Sequence, residues 1–464
     1  NDCTNYVQSL DGRYGFRLRF DTPEDNVLAR GTRLSLSLSG TVLTREENPE
    51  RYTISSLVGE NMVESAAGEA IPVKQRRISE LTDDDVYTFV SLENTEFLFK
   101  EGSYANVYEN YSLSSDGNNN RMDGWASLLM DDAGNSIYAP VNMLCLWRRS
   151  GQGVPQGTGT THGIVVHNEL PRYGNVGRYQ IRVLDESGFG MEWAGESAYT
   201  EFAEWDGNPH KYSFGTYAKF NSRYAYNRLE SITPSDDISS GKTVPNAELF
   251  CENHVETTAA EAWPIAGTGN YNNPEVGSLG TSLTCKAYFV KAGVKGWYRW
   301  EGNEVVGYNG LRMEFSTASL NGSHMLLGFS FAAGTISATT SKTYPAHWCV
   351  EYSVDGGQSY TLCPSAATGV DYVHLRSLPW WDASLAGNRY NTCSSAGIGL
   401  TDHLFRLPAE VFGRERVMVR IRPYDKVMTV LPLVWNGDTE TAEISAATTY
   451  DNQLRWGVIT LRYR

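Results

Sequence analysis

Apolar and polar residues alternate along this chain in short runs, and turn-forming residues close most of the runs. Leu34, Leu36 and Leu38 alternate with Ser35, Ser37 and Ser39, the period of two expected of half-buried strands. The clearest run is 348–360. Trp348, Val350, Tyr352 and Val354 share one face, Glu351 and Ser353 the other, and Asp355-Gly356 should supply the positive φ of a tight hairpin. In 416–422, Val417, Val419 and Ile421 should point inward while Arg416, Arg420 and Arg422 reach solvent along their stems. The stretch 78–85 reads as a short turn or helix start, because Thr82 and the aspartates after it favour caps.

Further strands are expected at 14–20, 51–58, 87–99, 127–130, 135–139, within 154–166 and at 179–185. From 248 onward they recur at short intervals to residue 464. About five or six strands with one short helix suit a small Greek-key barrel, and many strands without a long helix suit a two-sheet jelly roll. The expected fold is therefore all-β: an OB-like Greek-key barrel plus a C-terminal jelly-roll β-sandwich. The expected division is a barrel over 1–195, a bridging segment over 196–240 and a jelly roll over 241–464. The boundary rests on the linker composition of 233–241.

The strand 86–97 with its Ser91-Leu92-Glu93-Asn94-Thr95-Glu96-Phe97 core, the Val154-Pro155-Gln156-Gly157-Thr158-Gly159 turn and Tyr179-Gln180-Ile181-Arg182 resemble the N-terminal barrel-like domain of a family of exported Bacteroidetes proteins. That family has no settled activity, and many members are lipid-anchored at the cell surface. The 348–360 pattern, the Phe405 to Pro408 segment and the strand 457–463 look like the galactose-binding-type jelly rolls that end many surface proteins of the same bacteria. The resemblance implies export, a surface location and a lipid anchor ahead of residue 1.

Composition narrows the function. Lys and Arg number 39 against 54 Asp and Glu, a net charge of −15 that repels phosphate backbones and anionic lipid and argues against a general nucleic-acid binder. No apolar run is long enough to span a bilayer, so membrane association is expected only through the anchor. Seven scattered cysteines form no C-x-x-C pair and suggest neither a zinc motif nor a redox pair. Cys349 and Cys363 could meet across the hairpin or remain buried thiols.

Two loops carry candidate chemistry. Asp116, Asn118 and Asn120 place oxygen side chains at alternate positions, as a calcium loop begins, which makes calcium the one cofactor the sequence admits. Ser127 stands where the bidentate Glu belongs, and this favours a solvated turn. Leu378-Pro379-Trp380-Trp381-Asp382 sets two adjacent indoles in a Pro-led loop, where they could stack on a sugar ring while Asp382 and Asn388 bond its hydroxyls. Burial of at least one indole as a plug is the favoured alternative. His162 and His167, five residues apart on a strand, should face opposite ways. No Gly-x-Ser-x-Gly, Walker or Rossmann pattern occurs. The sequence thus ranks a non-enzymatic surface glycan binder first, a protein-contact scaffold in a surface assembly second, and a hydrolase third.

Overall fold

A computed structural model describes residues 3–68, 70–100, 104, 124–142, 145, 147, 154–167, 174–206, 242–244, 246–252, 265–271, 283–291, 297–333, 342–375, 401–431, 439–441, 444–448 and 453–464. The architecture is all-β, an OB-like barrel followed by a jelly-roll sandwich.

The N-terminal strands are β1 (Thr4–Gln8), β2 (Gly15–Phe20), β3 (Arg33–Leu36), β4 (Val42–Glu46), β5 (Arg51–Leu57) and β6 (Met62–Ala66). Four form a sheet in the order β1-β2-β5-β4, and β3 pairs with β6 as a separate ribbon. Leu18, Phe20, Ile54 and Leu57 make its small core.

The barrel uses β7 (Lys74–Arg76), β8 (Phe89–Phe97), β9 (Gly124–Asp131), β10 (Ser136–Asn142), β11 (Gly159–Val166), β12 (Gln180–Arg182) and β13 (Phe189–Met191). Five of these close on themselves in the order β8-β9-β10-β12-β11-β8, with β10 and β12 parallel and the other neighbours antiparallel. Closure leaves those strands few free edges. Val90, Leu92, Leu129, Ile137, Val165 and Ile181 fill the interior. Where a short turn or helix start was expected, two 3₁₀ turns form at Ile78–Glu80 and Asp83–Asp85. The Asp85 carboxylate accepts from Thr82 N, Lys74 and Arg76, and these bonds hold it below the usual carboxylate range although burial opposes ionisation.

The remaining strands are β14 (Thr200–Asp206), β15 (Lys242–Val244), β16 (Ala247–Cys251), β17 (Ile265–Tyr271), β18 (Leu283–Lys291), β19 (Tyr298–Glu301), β20 (Glu304–Tyr308), β21 (Leu311–Phe315), β22 (Met325–Ala333), β23 (Lys342–Pro345), β24 (His347–Ser353), β25 (Thr361–Cys363), β26 (Val373–His374), β27 (Thr401–Leu407), β28 (Val417–Pro423), β29 (Met428–Leu431), β30 (Thr439–Thr441) and β31 (Gln453–Tyr463). One sandwich sheet runs β17-β18-β31-β22-β27, and β14 also pairs with β31. The other runs β15-β16-β21-β28-β24-β25, with β26 on β24. Their inner faces meet around Trp205, Trp297, Phe329, Phe331, Trp348 and Val419. Trp348 stands edge-on to Trp297 with centroids 5.0 Å apart and donates from Nε1 to Pro345 O at 3.0 Å.

The hairpin forms, with Val350 opposite Cys363 and Tyr352 opposite Thr361. Its turn differs from expectation: the positive φ falls on Gly356 and Gly357, and Asp355 stays in ordinary backbone. Asp355 acts instead through its side chain, which accepts from Gln358 N, Ser359 N and the Ser353 and Ser359 hydroxyls. Both faces of β24 are buried. Glu351 pairs with Arg420 at 2.8 Å and Arg422 at 2.6 Å, and the two arginines lie over the rings of Tyr360 and Tyr308. The sequence had placed these arginines in solvent. A facing glutamate and two aromatic rings hold them in, while Arg416, paired with Glu314, stays exposed. Cys349 and Cys363 are free thiols. Burial pushes both up to about 12, which keeps them protonated and unreactive.

Barrel and sandwich meet through polar contacts, those of Tyr138 and Tyr199 buried. The Tyr138 hydroxyl donates to Asp402 O at 2.6 Å and lies 3.3 Å from His403 Nδ1. The Tyr199 hydroxyl donates to Asp131 O at 2.7 Å and lies 3.0 Å from His324 Nε2. Arg462 donates to Leu98 O and Arg464 to Asp132 O, each at 3.0 Å.

Candidate functional site

Trp380, Trp381, Asp382 and Asn388 lie outside the described residues, as do Asp116, Asn118 and Asn120. His162 and His167 do not converge: His162 Nε2 lies 3.1 Å from the Thr160 hydroxyl, and His167 Nδ1 lies 2.8 Å from Arg178 O.

The described residues do contain a cleft of about 570 Å³ between the N-terminal strands and the barrel wall, within the range usual for ligand pockets. One wall is β1, where Tyr6 packs on Tyr87 with centroids 5.3 Å apart. The ribbon of β3 and β6 brings Leu34, Leu36 and the nearby Leu38 to a second wall, and Phe89 and Ile164 of the barrel close the floor. The alternation at 34–38 was legible as a strand, and its apolar face is spent on this cleft.

Several polar groups in the lining are already engaged. Gln8 accepts from Phe89 N at 2.8 Å and donates to Pro72 O at 2.7 Å. Asn5 donates to Asn26, Ser9 donates to Asp11, and Arg30 pairs with Asp185 at 2.5 Å. Arg30 also lies over the Phe89 ring, 5.6 Å from its centroid. What remains for a ligand is mainly apolar surface, with the exposed Arg33 beside it.

Leu10 and Leu38 of the lining are exposed, and other exposed apolar side chains lie in the same part of the chain. These are Val27, Val42, Leu43, Val63 and Val73, and among the described residues most exposed large apolar side chains fall in this N-terminal part. Such clustering marks interaction sites, whereas single exposed apolar residues are ordinary. Val42 and Leu43 lie on β4, the outer strand of its sheet.

The buried acids away from the cleft clamp structure. Glu96 accepts from Ser197 and Ala198 N and pairs with Lys100 at 2.5 Å. Asp131 accepts from Ala133 N and Asn135 N. Burial works against ionisation of Asp83, but Arg178, Tyr179 and Glu50 N overcome it and hold the carboxyl at about 2.

No protein family matches the chain, and no curated protein matches it. Among solved structures, the K2 cleaved adhesin domain of Lys-gingipain is similar at 12% identity over 47% of this chain and 99% of that one, with a TM-score of 0.17.

Proposed function

We propose that this chain is a non-enzymatic binding protein of a cell surface and that its N-terminal cleft receives an extended apolar segment of a protein partner. The observation that carries the reading is the cleft itself, where Asn5, Gln8, Ser9 and Arg30 bond within the chain while Leu34, Leu36, Leu38, Phe89 and Ile164 present apolar walls. A sugar, covered in hydroxyls, would leave many of them unbonded there, at a cost for each. An apolar peptide would bury its side chains in the cleft and could add its backbone to the outer edge of β4. Export and surface placement rest on the family resemblance of residues 28–190, and fractionation of producing cells tests them.

Glycan binding by the Trp380-Trp381 loop is the second reading, supported by the adjacent indoles alone. The test of the first is selection of displayed peptides on the full chain, repeated with Leu10→Asp and Leu38→Asp, two rim positions whose exposure spares the fold. Apolar peptides should be enriched, and both variants should bind them at least tenfold more weakly. Peptides that bind the variants as well as the parent would place recognition elsewhere.

A further inference from the structure

His347 opens β24 and His374 closes β26, and strand pairing sets them directly opposite each other. Their rings stand edge to face with centroids 4.9 Å apart. Glu440 reaches the same point from β30, which belongs to the separate β23-β29-β30 sheet. One donor atom from each of the three side chains lies within 4.8 Å of the others.

The hydrogen bonding around His347 is that of a ligand. Its Nδ1 lies 2.8 Å from Asp425 Oδ2, and the other Asp425 oxygen accepts from Val427 N at 2.9 Å, fixing the carboxylate. A proton on Nδ1 satisfies that contact and leaves the Nε2 lone pair facing Glu440. The residue is only 7% exposed, yet Nε2 has no hydrogen-bond partner. A buried nitrogen so placed is costly unless something accepts its lone pair. Glu440 Oε2 lies 3.6 Å from it, and Glu440 Oε1 lies 2.9 Å from His374 Nδ1. Metal–ligand bonds of about 2.0–2.1 Å in a tetrahedron set ligand atoms roughly 3.3 Å apart, so small side-chain shifts would draw the three donors, now within 4.8 Å of one another, onto one ion.

We infer that His347, His374 and Glu440 form a binding site for a divalent transition metal of the zinc class, with Asp425 orienting His347 from behind. Two imidazoles and a carboxylate are a borderline-soft donor set suited to zinc, and three protein ligands leave a fourth position for water. A carboxylate behind a ligating histidine is the usual second-layer arrangement. The metal would tie the sandwich sheet to the β23-β29-β30 sheet. Tyr372 packs on His347 with centroids 4.4 Å apart and shields one side. The backbone also comes close to His374 at Gly174, where a Cβ would meet His374 Cγ at 2.6 Å.

The test is a zinc titration of the full chain, stripped with chelator, against a competing chromophoric chelator, with a melt at each metal concentration. One equivalent should bind and raise the melting temperature. Glu440→Gln, an exposed position that spares the fold, should weaken binding at least tenfold and remove the zinc-dependent rise. His374→Gln should do the same, and Asp425→Asn should weaken binding by about 10- to 100-fold. No bound equivalent, or zinc affinity unchanged in Glu440→Gln and His374→Gln, would overturn the assignment.

Discussion

Acid should loosen the joint between barrel and sandwich through His324. This imidazole is 2% exposed, lies beside the Tyr199 hydroxyl and faces the cations Arg406 and Arg464 with Asp132 opposing them. Burial, then the two arginines, lower its pKa from 6.5 to about 4. The unfolded chain therefore takes up a proton that the folded chain refuses, so stability is full above pH 6.5 and falls as pH drops toward 4. Between pH 7 and pH 5 the linkage relation gives a loss of about 2 kcal/mol from this one group. The perturbation that isolates it is His324→Gln, which keeps a polar side chain beside Tyr199 and removes the titration. His403, held near 3 by burial, is common to both proteins and cancels in the comparison. Urea unfolding of parent and variant at pH 7, 6 and 5 supplies the assay. The parent should lose about 2 kcal/mol more than the variant across that range. Equal losses in both would show that His324 is not held neutral and would refute the reasoning.

Gly310→Ala should destabilise the sandwich by about 3 kcal/mol or more, because a Cβ there would sit 2.1 Å from Ile421 O on β28; a thermal melt reads the drop, and an unchanged melt would mean the strands separate freely. Residues 197–464 should melt cooperatively where 242–464 should not, since β14 pairs with β31 and brings the buried Trp205; equal cooperativity would make β14 dispensable and leave the boundary near residue 240. If glycans bind, Trp380→Ala or Trp381→Ala should remove about 1 to 3 kcal/mol of binding with little change in melting temperature, whereas an indole plugging the sandwich end would cost about 3 to 5 kcal/mol of stability. A paired melt and glycan titration separates those outcomes.

Much of the fold was legible because burial imposes a period on local sequence. Val417, Val419 and Ile421 read inward and are fully buried, and the 348–360 hairpin follows from its alternation. What lay beyond reach depends on which strands meet. Whether Arg420 faced water or Glu351 was decided by β24 lying beside β28, a pairing that no local pattern encodes. The cleft required the β3–β6 ribbon to fold against the barrel, so Leu34 and Leu36 read only as half-buried. The histidine pair was hidden for the same reason. Helical metal motifs announce themselves at fixed spacing, but His347 and His374 become neighbours only through the β24–β26 pairing, and Glu440 comes from another sheet.

The placement of β31 bears on how the chain reaches its native state. This strand is synthesised after every strand it joins, yet it lies inside its sheet, bonded to β14, β18 and β22. Until it emerges from the ribosome, β14 lacks the partner it has in this sheet, and the face carrying Leu327, Phe329 and Phe331 stays incompletely covered. Pairings between residues so distant in sequence form slowly and expose aggregation-prone edges meanwhile. The sandwich sheet thus closes only once its last strand is made, and a fragment ending before residue 453 leaves the edges of β14, β18 and β22 without that partner.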